Sequence, residues 1–243
     1  MPNAQDVTIN TEHLKVLSVG ESGSGKSTFA SSFPTPGFIF DFGQEIISYR
    51  GKNFDYEQYE ISALGWSKFE RDLPVIRKAC QEGKYKTLIV DNVSAMTDVC
   101  MEKAMQLDPK RSATNGPLWN VHYGMVKNLM EGRLRQLINI PTNLVLIAHL
   151  GFIKDEDGAV IGVEPQFTGS LSADVPAYFH EVYYHVTRKE GSDLKWCIQT
   201  VPIARNKGRS RLSGKERLLP DLLDNDYNEV LAYLTGKKVK TKK

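Results

Sequence analysis

The stretch Gly20-Glu21-Ser22-Gly23-Ser24-Gly25-Lys26-Ser27-Thr28 constrains this chain more than any other. It satisfies the pattern G-x-x-x-x-G-K-[ST] in full and is flanked as that pattern requires. Ahead of it, Leu14 to Val19 reads as a short buried strand, and behind it Ser27 to Ser32 can open a helix. Each residue type has a physical reason to be there. Glycines let successive backbone N–H groups turn inward as an anion nest, and a helix N-terminus adds its dipole. Lys26 brings a point charge to β- and γ-phosphates, and the Ser27 hydroxyl is placed for Mg²⁺. Residues Glu21, Ser22, Gly23, Ser24, Gly25, Lys26, Ser27 and Thr28 are therefore expected to hold ATP with Mg²⁺.

Acids at strand ends supply the next clues, because in α/β sheets the carboxyl ends of strands face the ligand crevice. Pro34-Thr35-Pro36-Gly37 stops the loop helix, and the apolar run Phe38-Ile39-Phe40 then delivers Asp41, with Glu45 close behind. Thr87-Leu88-Ile89-Val90-Asp91 repeats the form as a Walker B segment, whose aspartate is expected to complete a metal site with Ser27. The residue after it is Asn92, where many mechanical ATPases carry a water-polarising Glu. The activating carboxylate is then sought at the end of a neighbouring strand, which leaves Asp41 and Glu45 as candidates, with turn capping as the structural role open to Asp41. The most apolar run, Asn143 to Ala148, delivers His149 to the same crevice. His149 is expected either to sense the γ-phosphate or to be a satisfied core histidine.

Between these landmarks, Gly43 to Ser62 reads as a tyrosine-rich hairpin or lid, and Trp66, Phe69, Leu73 and Ile76 form a helical core stripe around Pro74. Val93 to Leu107 is a predicted helix, followed by a polar loop and a longer helix in which His122 reads as structural. Phe152 to Ile161 suggests a hairpin. The loop Pro165 to Leu171 offers Phe167 for stacking with a single-stranded base. A short helix over Ser172 to Phe179 and two strands, Glu181 to Thr187 and Leu194 to Val201, precede a cation-dense run from Ala204 to Arg217. Arg205 and Lys207 are expected to act as a finger on a neighbouring subunit's nucleotide, and Arg209, Arg211 and Lys215 to bind a nucleic-acid backbone. Pro220 to Leu234 holds a closing helix. The chain divides into an N-terminal arm (1–13), one ATPase domain (14–235) and a basic tail (236–243).

At 243 residues with 41% hydrophobic and 25% charged residues, the chain can build one sizeable core. A net charge of +2 excludes a general polycation, so any nucleic acid must be held by local clusters. Cys80, Cys100 and Cys197 are dispersed in apolar or helical stretches, which predicts reduced core thiols. With no apolar run of membrane-spanning length and a polar start, a cytoplasmic location is expected.

With these residues in place, the chain resembles the small, phage-encoded RecA-like ATPases that overlap the ATP-dependent single-strand annealing and recombination proteins. The resemblance runs from about Lys15 to Leu223. It rests on the GESGSGKST loop, Pro34 to Gly37, the strand ending at Asp41, Leu88 to Asn92, the Ala148-His149 strand end and the basic stretch from Arg205. It implies a RecA-like α/β core with a mostly parallel sheet flanked by helices, ending in an antiparallel strand pair. It also implies an ATPase that binds single-stranded DNA and assembles into a homo-oligomeric ring or filament with nucleotide between subunits. A single-strand DNA-binding protein is a further candidate partner, no membrane is involved, and the location becomes the bacterial host cytoplasm. One departure stands out: relatives carry an acid two positions after the strand-end aspartate, where this chain has Gly43, so Glu45 is the substitute to consider. Competing readings are a helicase loader or small helicase-like motor, and a small-molecule kinase.

Overall fold

The computed structural model describes residues 11–212 and 217–238. The first ten residues of the N-terminal arm, Lys215 with its neighbours in the basic run, and the end of the basic tail lie outside the described residues.

Alternation along the central strands sends their side chains into two cores, one on each sheet face. In β1 (Lys15–Gly20), Leu17 and Val19 join one core while Val16 joins the other. The same split separates Phe38 and Phe40 from Ile39 in β2 (Gly37–Asp41), Leu88 and Val90 from Ile89 in β4 (Thr87–Asp91), and Leu144 and Leu146 from Val145 in β5 (Asn143–Lys154). Strands buried on both faces in this way need helices on both sides. One face is covered by α2 (Ala63–Gln81), α3 (Val93–Leu107) and α4 (Trp119–Ile138). The other is covered by α1 (Lys26–Ser31) and α6 (Tyr227–Leu234), through Phe29, Tyr227, Val230 and Leu234.

The strand order is β3 (Phe54–Gln58), β2, β4, β5, β1, β7 (Glu181–Glu190), all parallel. β8 (Asp193–Gln199) and β12 (Leu222–Asp224) then continue the sheet antiparallel. β6 (Val160–Pro165) folds back on β5 as the expected hairpin. The helical stretch after it is α5 (Leu171–Asp174) followed by a 3₁₀ turn over Val175–Tyr178. The pair β9 (Pro202–Ile203) and β10 (Asn206–Lys207) forms a small hairpin of its own, and β11 (Arg209–Ser210) pairs with β7. One strand, β5, separates the loop-bearing β1 from the Asp91-bearing β4.

The expected hairpin or lid over Gly43 to Ser62 is not formed. A 3₁₀ turn at Ile46–Tyr49 leads instead into β3, which adds to β2 in parallel. β3 is an edge strand whose side chains are half-buried or exposed, so it carries none of the apolar alternation that marks the inner strands. Pro74 lies within α2 without breaking it. Cys80, Cys100 and Cys197 are free and buried. Among the described residues, no helix is long and apolar enough to cross a membrane.

Trp66 is fully buried and packs on Phe69, 5.4 Å away between ring centroids, which in turn meets Phe40, Phe42 and Tyr59. Its indole Nε1 has no hydrogen-bond partner among the described residues. Trp66→Ala is expected to cost about 3–5 kcal/mol in urea unfolding. Trp66→Phe should cost clearly less, since no hydrogen bond is forfeited, and equal losses would refute this account of the site.

Candidate functional site

The loop between β1 and α1 closes on itself. Glu21 O accepts from Ser24 Oγ at 2.8 Å and from Lys26 Nζ at 2.6 Å. Burial lowers the pKa of Lys26, and the negative groups Asp91, Glu45 and Glu21 oppose that shift. Gly25 caps α1 with φ at 91°, a left-handed conformation that favours glycine. α1 has only six residues, so the backbone amides of the loop carry more of the anion-binding capacity than the helix dipole.

Ser27 and Asp91 are brought together as expected: Ser27 Oγ donates to Asp91 Oδ2 at 2.8 Å. A group that sequence reasoning missed reaches the same atom, with Tyr49 Oη donating to Oδ2 at 2.6 Å. Asp91 Oδ1 is buried and has no hydrogen-bond partner among the described residues. Burial pushes the Asp91 carboxyl up to about 6, with Glu45 and Asp41 adding to the rise and the hydrogen bonds from Tyr49 and Ser27 opposing it. A buried carboxylate with one unanswered oxygen beside a serine hydroxyl is the hard-oxygen donor set that Mg²⁺ prefers. The residues present thus fit the ion, with Ser27 and Asp91 as the groups that would hold it.

The two candidate carboxylates separate by their partners. Asp41 pairs with Asp91 in the β2–β4 register, but both of its oxygens are engaged: Oδ1 accepts from Glu45 N at 3.1 Å and Oδ2 from Gln58 Nε2 at 2.8 Å. It caps the turn that presents Glu45. Glu45 itself is exposed and lines the loop cleft together with Ser22, Lys26, Ser27 and His149. Asn92 Oδ1 accepts from Ala95 N at 2.8 Å and so caps α3. His122, by contrast with these, is a satisfied core residue bonded to Leu118 N and Asp108 O.

His149 is half-buried and lies opposite Gly20 in the β1–β5 register. Burial lowers its pKa, helped by the nearby Lys26 charge and opposed by Glu45. It also borders a second cavity of about 510 Å³, lined by Phe42, Asn92, Asp98, Gln166 and Phe167 among others. Its backbone is clamped to that wall: His149 N donates to Ser94 Oγ, Ser94 Oγ donates to Gln166 O at 3.0 Å, and Gln166 N donates to His149 O at 2.8 Å. Phe167 is half-buried and packs against the core.

The basic run divides on inspection. Arg205 is exposed at the turn between β9 and β10, and Lys207 is exposed on β10. Neither lines the cleft of its own chain among the described residues. Arg211 is exposed. Arg209 departs from the expected nucleic-acid role, because its Nη2 donates to the carbonyls of Pro176 and Phe179 and its Nε is buried. Its guanidinium is committed to holding β11 against the turn before β7. Lys215 lies outside the described residues.

A buried relay that sequence reasoning did not anticipate steadies the loop from the β7 side. Asn225 Nδ2 donates to Gly25 O at 2.8 Å, which leaves Asn225 Oδ1 to accept from His185 Nδ1 at 2.9 Å. His185 Nε2 then accepts from Ser18 Oγ at 2.5 Å. Burial, reinforced by the Lys26 charge, drives the His185 pKa down to about 3, so the ring is neutral in the folded protein. Below the ordinary histidine pKa of about 6.5 the unfolded chain binds a proton that the folded chain refuses. Stability is therefore expected to fall as pH drops from about 6.5 toward 3, by up to about 1.4 kcal/mol per pH unit from this group. In urea unfolding from pH 7 to 4.5, His185→Gln should show a shallower decline by about that slope. Parallel curves for the two proteins would contradict the relay.

The match to a family model agrees with the geometry. Residues 12–214 match the family model described as AAA domain. Solved structures similar to the chain include the KaiC-like protein PH0186 from Pyrococcus horikoshii OT3, at 12% identity over 77% of this chain and 78% of that one, with a TM-score of 0.46. Another is the flagellar accessory protein FlaH from Methanocaldococcus jannaschii, at 9% identity over 81% and 79%, with a TM-score of 0.36. No curated protein matches the chain. A complete phosphate loop, a paired serine and strand-end aspartate, and a family match spanning most of the sequence agree: this chain belongs to the AAA domain family, as an ATP-binding P-loop NTPase with a mostly parallel α/β core.

Proposed function

We propose that the protein is a DNA-dependent ATPase that binds single-stranded DNA and promotes annealing or recombination, with nucleotide held between subunits of a homo-oligomer. The observation that carries the reading is the clamp joining His149 in the nucleotide cleft, through Ser94 and Gln166, to the wall that presents Phe167. In this reading, Lys26 and the loop amides bind the triphosphate. Bound Mg²⁺ would neutralise charge on the phosphate oxygens. Glu45 orients the attacking water and accepts its proton, and Asp41 holds the turn on which Glu45 sits. His149 meets the end of the triphosphate and transmits its presence along the clamp. Arg205 and Lys207 reach the nucleotide of the adjoining subunit as cations that answer the charge developing on the phosphoryl group. Their exposure away from their own cleft supports action across an interface. Arg211, with Lys215, binds the DNA backbone, and Phe167 contacts a base beside the cavity.

ATP turnover with and without single-stranded DNA tests the reading. Glu45→Gln is expected to lower kcat by about 10²–10³-fold with KM little changed, as for loss of a positioned general base. Asp41→Asn should act less steeply. DNA that leaves turnover unaffected, with transfer of phosphate to a small acceptor, would replace this reading with a kinase. ATP-driven translocation without annealing would replace it with a replication motor.

The salt dependence of DNA affinity reads the backbone contacts. Arg211→Ala is expected to reduce the slope of log K against log salt by about 0.7, the share of one phosphate contact on a single strand. An unaltered slope would remove Arg211 from the DNA site.

A further inference from the structure

The cleft around the loop encloses about 150 Å³. Pockets that bury a whole drug-sized ligand run to about 300–1,000 Å³, so this cleft accommodates phosphates and leaves the base of a nucleotide outside. The direction in which the base leaves follows from the strand order. Asp91, Glu45 and His149 come from β4, from the turn after β2 and from β5, all on one side of β1. Those groups mark the end where the metal and the terminal phosphate belong. The base end therefore lies on the other side of β1, over β7 and β8.

Among the described residues, one aromatic side chain lines the cleft on that side. Trp196 of β8 is 44% exposed, and its root sits on the phosphate loop, since a Cβ added to Gly25 would fall 3.0 Å from Trp196 Cγ. Leu194, two residues earlier and so on the same strand face, is 65% exposed. Asp193 to Trp196 are all exposed, so Leu194 and Trp196 stand uncovered on a hairpin face that they share with Thr187 and Lys189. An indole placed there leaves a large aromatic surface wet, and a purine ring is the flat partner that covers it with offset stacking. Asn225, which bonds Gly25 O, braces the same stretch of loop against the hairpin.

We propose that Trp196 is the base platform of the nucleotide site, stacking on the purine ring of the bound nucleoside triphosphate. The proposal rests on the reading that the loop binds such a nucleotide. It makes Trp196 a specificity determinant that favours purine over pyrimidine nucleotides and leaves the grip on the phosphates unchanged.

Calorimetric titration with ATP and, separately, with inorganic tripolyphosphate tests this, both with Mg²⁺ and with the full chain. Trp196→Ala is expected to raise the Kd for ATP by about tenfold or more, in line with the loss of one base–aromatic stack, while leaving the Kd for tripolyphosphate unchanged. Trp196→Phe should recover most of the ATP affinity. Equal weakening of both ligands would mean that Trp196 only props the loop at Gly25, and unchanged ATP affinity would mean that it does not meet the base; either result overturns the proposal. Failure of the unmodified protein to bind either ligand would instead strike at the nucleotide reading beneath it.

Discussion

Asp91 is the point on which the rest of the structure turns. It is a carboxylate almost wholly removed from water, and its burial alone pushes it toward the neutral form. Two hydroxyls, from Ser27 and Tyr49, converge on one oxygen, and nothing among the described residues answers the other. Leaving a buried polar atom unpaired costs about 1–3 kcal/mol, more for a charged one. That cost is borne where a divalent cation can remove it. The same interaction joins three separate pieces of chain, since Ser27 opens α1, Tyr49 closes the 3₁₀ turn after β2, and Asp91 ends β4.

The order of the strands converts this local chemistry into a directional site. With β5 between β1 and β4, His149 is delivered to the phosphate loop next to Asp91, and the turn after β2 brings Glu45 to the same cleft. On the opposite flank, β7 sends His185 under the loop and β8 sends Trp196 over it. Charged and titratable groups thus gather at one end, while an aromatic surface waits at the other. A nucleoside triphosphate has the same polarity, with its charge at one end and its flat ring at the other.

The division of labour between Asp41 and Glu45 shows how partners decide roles that residue type leaves open. Both are acids near the end of β2, and either could have activated water. Asp41 has both oxygens committed, to Glu45 N and to Gln58, the latter on an edge strand whose polar sequence hides it. Glu45 lines the cleft with its carboxylate exposed. A similar contrast separates Arg211 from Arg209, two residues apart in a basic run. The first is exposed and the second is fastened to two backbone carbonyls.

The primary sequence determined the features that local chemistry dictates: the phosphate loop with its glycines and Lys26, the inner strands that end in Asp41 and Asp91, the apolar run that leads to His149, and the helical core stripe around Trp66; only the structure showed that β5 runs on past His149 to Lys154, because β6 folds back to pair with it. These were legible because strand alternation, helical spacing and anion-nest geometry all act over a few residues. Tyr49, His185, Trp196 and Asn225 were not legible, since each lies far along the chain from the groups that it touches and nothing in its neighbours marks it. Asn225 meets Gly25 across 200 residues, and no short-range pattern encodes such a contact. Only the packed sheet decided which acid caps and which faces the cleft, and which arginine is exposed and which is fastened to backbone carbonyls, because those outcomes depend on the order of strands in space rather than in sequence.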